Sequence, residues 1–175
     1  PYLFLDARYE KVRHGGAVVD CAVLVAMGVD ANGKRDLLGC SISLSEAEVH
    51  WREFMQSLAK RGLHGVQLIV SDAHEGLKAA RKAVFAGVLW QRCQFHLQQN
   101  AQAHVPRQEM KTVVAADLRA VFNAPNDGEA RRILNGFVER YAKTAPKLAE
   151  WAEKNVPEGL TVMQFPAAHQ RRLRT

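Results

Sequence analysis

Two aspartates sit where aliphatic, strand-like runs would otherwise continue. Asp6 interrupts "YLFLDARY", and Asp72 closes the run in "LIVSDAHEGL". A carboxylate in a buried strand is costly unless something pairs with it. Divalent cations supply one such partner. Mg²⁺ takes oxygen ligands and is usually held by one or two carboxylates, with phosphate and water completing its shell. Two such ions, roughly 4 Å apart, can stabilise the attacking and leaving oxygens of a phosphodiester exchange. Both residues also have ordinary readings. Asp72 and Glu75 have the spacing of a helix-capping pair, and Arg8 is a nearby ion-pair partner for Asp6.

Cys93 and His96 form C-x2-H, half of a zinc site by spacing, whereas a closed structural site needs four ligands. Cys21 and Cys40 have no paired spacing, so C-x2-H is read as local architecture at a strand-helix junction. Three cysteines do not make a disulfide framework and fit a reducing, cytoplasmic setting. His74 reads as a solvated loop histidine rather than a phosphate ligand. Trp90 and Phe95 alternate along a strand-like run and read as core rather than as base-stacking platforms. Arg92, Arg171, Arg172 and Arg174 suit phosphate contacts, which supply much of the affinity of proteins for DNA. The terminal "QRRLRT" is equally readable as a solvated charge cluster.

The elements that must position these residues follow from hydrophobic periodicity. "YLFLDARY", "VVDCAVLVAMGV" and "RDLLGCSIS" are β-rich and separated by turn signals, "HGG" and the Asn32-Gly33 of "DANGK". Ser45 and Glu48 have capping-box spacing. Trp51, Phe54, Met55 and Leu58 then form a helical stripe, and Gly62 supplies a stop. "GVQLIVSD" has the composition of a strand buried on both faces. Glu75 to Phe85 reads as a helix with Leu77, Ala80 and Val84 inward. "VLWQRCQF" reads as a fifth strand, and "HLQQNAQAHV" turns helical. After Pro106 only helical patterns remain, broken near "NAPNDG", Pro146 and Pro157. The plan is β-β-β-α-β-α-β-α and then helices, an α/β chain with a mixed five-stranded sheet. That element order suggests a ribonuclease H-like arrangement, with strand one central, strand four its parallel neighbour, and both aspartates within reach of one ion pair.

The bulk numbers bound the partners. With 175 residues, 47% hydrophobic and 24% charged, the chain can bury a real core. A net charge of +6 favours a polyanionic partner. No apolar stretch approaches the roughly 20 residues that span a bilayer, so no membrane partner is expected. There is no signal-peptide pattern. The chain reads as a piece of a longer protein.

"LDARY", "SDAHEGL", "WQRCQFHLQQN" and the following "VP" closely resemble the catalytic region of bacterial Mutator-type insertion-sequence transposases. The likeness is specific from Pro1 to Pro106 and looser through "FPAAHQRRLRT". It implies a ribonuclease H-like core bearing a DDE triad, with Asp6 as first acid and Asp72 as second. It also implies a helical insertion after the fifth strand. The third acid of that family is a glutamate soon after a basic Arg-Thr segment, and is expected beyond Thr175. Glu139, Glu150, Glu153 and Glu158 lie in insertion-like helices and are read as surface charges. The implied organisation is an incomplete core over 1–105, a helical insertion over 106–165, and a basic segment over 166–175 leading to the catalytic helix. The implied cofactor is Mg²⁺ or Mn²⁺, two ions in a complete site. The implied partners are transposon ends, target DNA and further copies of the chain, in a bacterial cytoplasm at the nucleoid. The implied activity is DNA cleavage and strand transfer by the parent protein, with the fragment alone inactive. The alternatives are a ribonuclease H-like nuclease or resolvase, and a catalytically dead remnant that binds DNA or dimerises.

Overall fold

A computed structural model describes residues 1–174; Thr175, the last residue of the expected basic segment, lies outside the described residues. The first two strands, β1 (Tyr2–His14) and β2 (Ala17–Val29), form a long antiparallel hairpin. Its two-residue turn has Gly15 at φ +56 and Gly16 at φ +81. Positive φ at both central positions is what a type I′ turn requires, and glycine adopts it without strain. β3 (Arg35–Ser43) pairs antiparallel with β2. The connecting turn is closed by the Asp30 carboxylate, which accepts the N–H groups of Asn32 and Lys34 at 2.9 and 2.8 Å.

β4 (Leu68–Ser71) runs parallel to β1, and β5 (Leu89–Arg92) completes the order β3-β2-β1-β4-β5. The protein is therefore a mixed α/β chain with a five-stranded mixed sheet and, among the described residues, seven α-helices. The fifth strand is shorter than the run "VLWQRCQF" suggests. It ends at Arg92, and Cys93 already caps the next helix.

The chain divides into two compact units, one over Pro1–Trp90 and the other from Gln91 onward. In the first, α1 (Glu48–Lys60) and α2 (Glu75–Val84) pack on one sheet face. Leu3 and Leu5 of β1, Leu24 and Ala26 of β2, and Ile69 of β4 meet the full stripe Trp51, Phe54, Met55, Leu58 there. Burying each large apolar side chain stabilises the unit by roughly 1.5–3 kcal/mol. α1 ends in a Schellman arrangement: Gly62 N–H donates to the Ala59 carbonyl and Leu63 N–H to the Leu58 carbonyl, both at 3.0 Å. Gly62 takes φ +102. Its start departs from the capping-box expectation. Glu48 is the first helical residue, Ala47 is the cap, and Ser45 Oγ accepts only from Ala47 N–H at 3.3 Å. The segment before α1 is shaped by α2 instead, because Gly76 lies so close that a Cβ would meet the Glu46 carbonyl at 2.3 Å.

The second unit is helical: α3 (Gln94–Gln102), α4 (Lys111–Phe122), α5 (Asp127–Tyr141), α6 (Pro146–Asn155) and α7 (Ala167–Leu173), with short 3₁₀ turns between some of them. Its core joins Leu97 and Ala101 of α3 to Leu118, Leu134, Phe137 and Leu148. The helix containing "HLQQNAQAHV" thus shares its core with the helices after Pro106. The breaks fall where the sequence suggests, with α5 opening at Asn126, whose side chain accepts from Glu129 N–H, and Pro146 opening α6.

Candidate functional site

Period-two alternation places Leu3 and Leu5 in the core and leaves Phe4 half-buried and Asp6 exposed on the other phase. The parallel ladder between β1 and β4 pairs Tyr2 with Leu68, Leu3 with Ile69, Phe4 with Val70 and Leu5 with Ser71. The next residue on each strand is an aspartate. The last pair of the ladder is Leu5 with Ser71, so Asp6 and Asp72 directly follow it, on strands that run about 4.8 Å apart. Two residues 66 positions apart in the sequence thus directly follow the end of one ladder, Asp72 at the carboxyl end of β4.

The local bonding of the two acids is alike. Asp6 Oδ1 accepts the N–H of Ala7 at 3.0 Å, and Asp72 Oδ1 accepts the N–H of Ala73 at 2.7 Å. Each carboxylate is thereby oriented by its own backbone. The ordinary readings of these residues are not what the fold uses. α2 begins at Glu75 with His74 as its cap and no side-chain cap bond, so Asp72 is not the helix cap. Arg8 pairs with Glu10. His74 is exposed at the helix start.

A feature with no sequence signature fixes the end of β4. Trp90 Nε1–H donates to Ser71 Oγ at 2.9 Å, and the Ser71 hydroxyl donates to the Asp72 carbonyl at 2.8 Å. Lys78 and Arg81 of α2 stand over the Trp90 indole, 5.7 and 5.3 Å from its centroid. Cations over an aromatic face are attracted by its quadrupole. Arg81 is buried, and burial lowers its pKa. Trp90 is thus half-buried, partly core as expected and partly a polar bracket for the residue before Asp72. The signal available in sequence was a serine directly preceding the aspartate; its partner 19 residues on was not visible.

The other candidates lie in the helical unit. Cys93 is buried and caps α3, where its carbonyl accepts Leu97 N–H at 3.0 Å, and His96 follows on the first turn. Among the described residues no group of three or more His, Cys, Asp or Glu side chains could hold a metal ion. Arg92 is buried, and its Nη1 donates to Asn155 Oδ1 at 2.9 Å and to Glu158 Oε2 at 3.3 Å. Glu158 is therefore a half-buried ion-pair partner rather than a surface charge, while Glu139, Glu150 and Glu153 are exposed. Arg174 donates to Asn123 Oδ1 and the Ala124 carbonyl, just past the end of α4, and to Gln170. Burial, and secondarily the charge of Arg171, lowers its pKa. Arg171 and Arg172 are exposed on α7. Phe95 is not core: it is 56% exposed, because the strand has ended and α3 turns it outward while Leu97 faces in.

Comparison with known proteins places this arrangement in a family. The model of the family "Transposase, Mutator family" matches residues 1–175. The transposase for insertion sequence element IS406 of Burkholderia multivorans is 62% identical over 175 residues, covering 100% of this chain and 45% of that protein. The transposase for ISRM5 of Rhizobium meliloti is 37% identical over 99% of this chain and 44% of that protein. The transposase for IS256 in transposon Tn4001 of Staphylococcus aureus is 35% identical over 81% of this chain and 36% of that protein. The chain thus spans less than half the length of these relatives. With its full length covered by the family model, this chain belongs to the Mutator family of transposases.

Proposed function

We propose that the chain is the catalytic region of a DDE transposase with a ribonuclease H-like core, which cuts and joins DNA at the ends of an insertion sequence. The observation that carries this reading is the parallel register of β1 and β4, whose last pair, Leu5 with Ser71, is directly followed by Asp6 and Asp72. The sheet order β3-β2-β1-β4-β5, with β1 central and β4 its parallel neighbour, supports the ribonuclease H-like assignment.

The donor set suits a hard divalent cation. Both acids offer oxygen only, and each is oriented by the N–H of the following residue. Asp6 and Asp72 would hold Mg²⁺ or Mn²⁺, two ions in a complete site. Bound there, such ions would polarise a phosphodiester and lower the pKa of an attacking hydroxyl. No third acid is assigned to a residue of this chain. Ser71 and Trp90 act as positioning residues, because their hydrogen bonds fix the backbone that presents Asp72. Arg171 and Arg172, exposed on α7, would meet DNA phosphates, and the proposed partners are transposon ends, target DNA and further copies of the transposase.

The test is end cleavage by the reading frame that contains this chain, using a duplex carrying the element's terminal repeat. Mg²⁺-dependent nicking at the element end, lost in Asp6→Asn and Asp72→Asn, is expected. Binding to the repeat without any divalent-dependent cleavage would instead identify a DNA-binding remnant.

A further inference from the structure

The helical unit carries a groove that the two-acid reading leaves unused. It lies between α3 and α4 with a volume of ≈ 540 Å³. α3 lines it with Phe95, Gln98, Gln99 and Gln102, spaced i, i+3, i+4, i+7 on one helix face. α4 supplies Lys111 and Arg119. No carboxylate lines it.

The cations here differ from those next door. Arg131, Arg132 and Arg140 of α5 are paired with Asp127, Glu129 and Asp117. Lys111 and Arg119 have no ion pair among the described residues. The side chains of Gln99 and Gln102 make no hydrogen bond within the described chain either. Phe95 is 56% exposed, and its ring meets that of His96 edge-on, with centroids 5.5 Å apart and planes at 71°. An outward aromatic, amide donors and acceptors, and uncompensated positive charge share one concave surface.

We propose that this groove binds an unpaired stretch of DNA, a statement that rests on the reading of the chain as DNA-acting. Phe95 is the stacking platform, the glutamine amides address base edges, and Lys111 and Arg119 hold phosphates. An aromatic face accepts any base by stacking, but only where that base is free of its partner. The groove therefore distinguishes unpaired strand from duplex, as opened DNA ends would require.

The experiment is fluorescence anisotropy with the 175-residue chain, using a labelled oligothymidylate and a duplex of equal length. It is run in EDTA across a salt series. Phe95→Ala is expected to weaken single-strand binding about tenfold and duplex binding by less than about twofold, with Phe95→Trp restoring it. Lys111→Gln with Arg119→Gln should weaken both and flatten the single-strand salt slope by about 1.4. Removing the same charge elsewhere on the unit, by Lys143→Gln with Lys154→Gln, should leave single-strand binding within about twofold. Equal losses from the two charge pairs, or no change with Phe95→Ala, overturn the proposal. So does an absence of single-strand binding at low salt, or a change in self-association by light scattering with DNA binding intact. Binding in EDTA needs no divalent cation and is read without any cleavage step. Failure of the groove is thereby separable from failure of the catalytic reading.

Discussion

Asp6 and Asp72 each directly follow the last pair of one parallel ladder, Leu5 with Ser71. Two aspartates that are ambiguous in sequence thus both follow the end of one ladder. On β1 the core-facing Leu3 and Leu5 alternate with half-buried Phe4, whereas all four residues of β4 are buried. A one-residue shift would send Leu3 and Leu5 to the wrong face.

Neutralising either acid should separate activity from stability. Asp6→Asn and Asp72→Asn keep the side-chain shape and an acceptor for the Ala7 and Ala73 N–H groups. Thermal unfolding should move by no more than about 0.5 kcal/mol in ΔG, as for substitutions outside the core. End cleavage should fall by about a thousandfold or more, the scale on which electrostatic groups act in transition states. A variant that unfolds and loses activity together would argue for a structural role.

Ser71 and Trp90 should behave as one unit. Ser71→Ala and Trp90→Phe both remove the hydrogen bond between them, expected to lower stability by about 1 kcal/mol, and Ser71→Ala also removes the donation to the Asp72 carbonyl. The double variant should be little worse than either single one, because neighbouring groups sharing an interaction are not additive. Additive losses in denaturant titration would show that the bond does not couple them.

Gly76→Ala probes the close approach of α2 to the segment before α1. A Cβ there meets backbone at 2.3 and 2.9 Å, contacts that no side-chain rotation relieves. We expect a loss of about 1–3 kcal/mol, typical of overpacking, read as a lower melting temperature. Unchanged melting would mean that α2 shifts freely.

High pH should weaken the helical unit through Tyr141. Burial, and then the hydrogen bond to Asp117, raise its pKa to about 12 from an ordinary 10.0. The native state holds this proton more tightly than the unfolded chain does. The associated stability is fully present below pH 10.0 and is lost as pH rises toward about 12. The loss is on the order of 2 kcal/mol. Tyr141→Phe should flatten that portion of the pH dependence in urea titrations; an unchanged profile would contradict the assignment.

Much of the fold was legible because burial patterns are local. The bounds of β3, the apolar stripe of α1 and the glycine stop at Gly62 follow from periodicity and backbone freedom. Helix starts were less legible, since the cap of α1 is decided by how Gly76 packs rather than by Ser45 and Glu48. Phe95 was misread because the strand ends three residues earlier than its aliphatic and aromatic content suggests, and a helix changes which residues face inward. Arg92 looked like a free cation, yet its partners Asn155 and Glu158 lie more than sixty residues away. Asp6 and Asp72 stand out by residue type and position, whereas the Trp90–Ser71 bracket depends on tertiary contact alone.

The central claim is that Asp6 and Asp72 share a divalent cation, and Mn²⁺ anomalous diffraction from crystals of the chain tests it directly. The account predicts an anomalous peak about 2.1 Å from a carboxylate oxygen of each aspartate, the scale of hard-cation ligation, and its loss in Asp72→Asn. A peak bound to only one of them, or one that persists in Asp72→Asn, would contradict it.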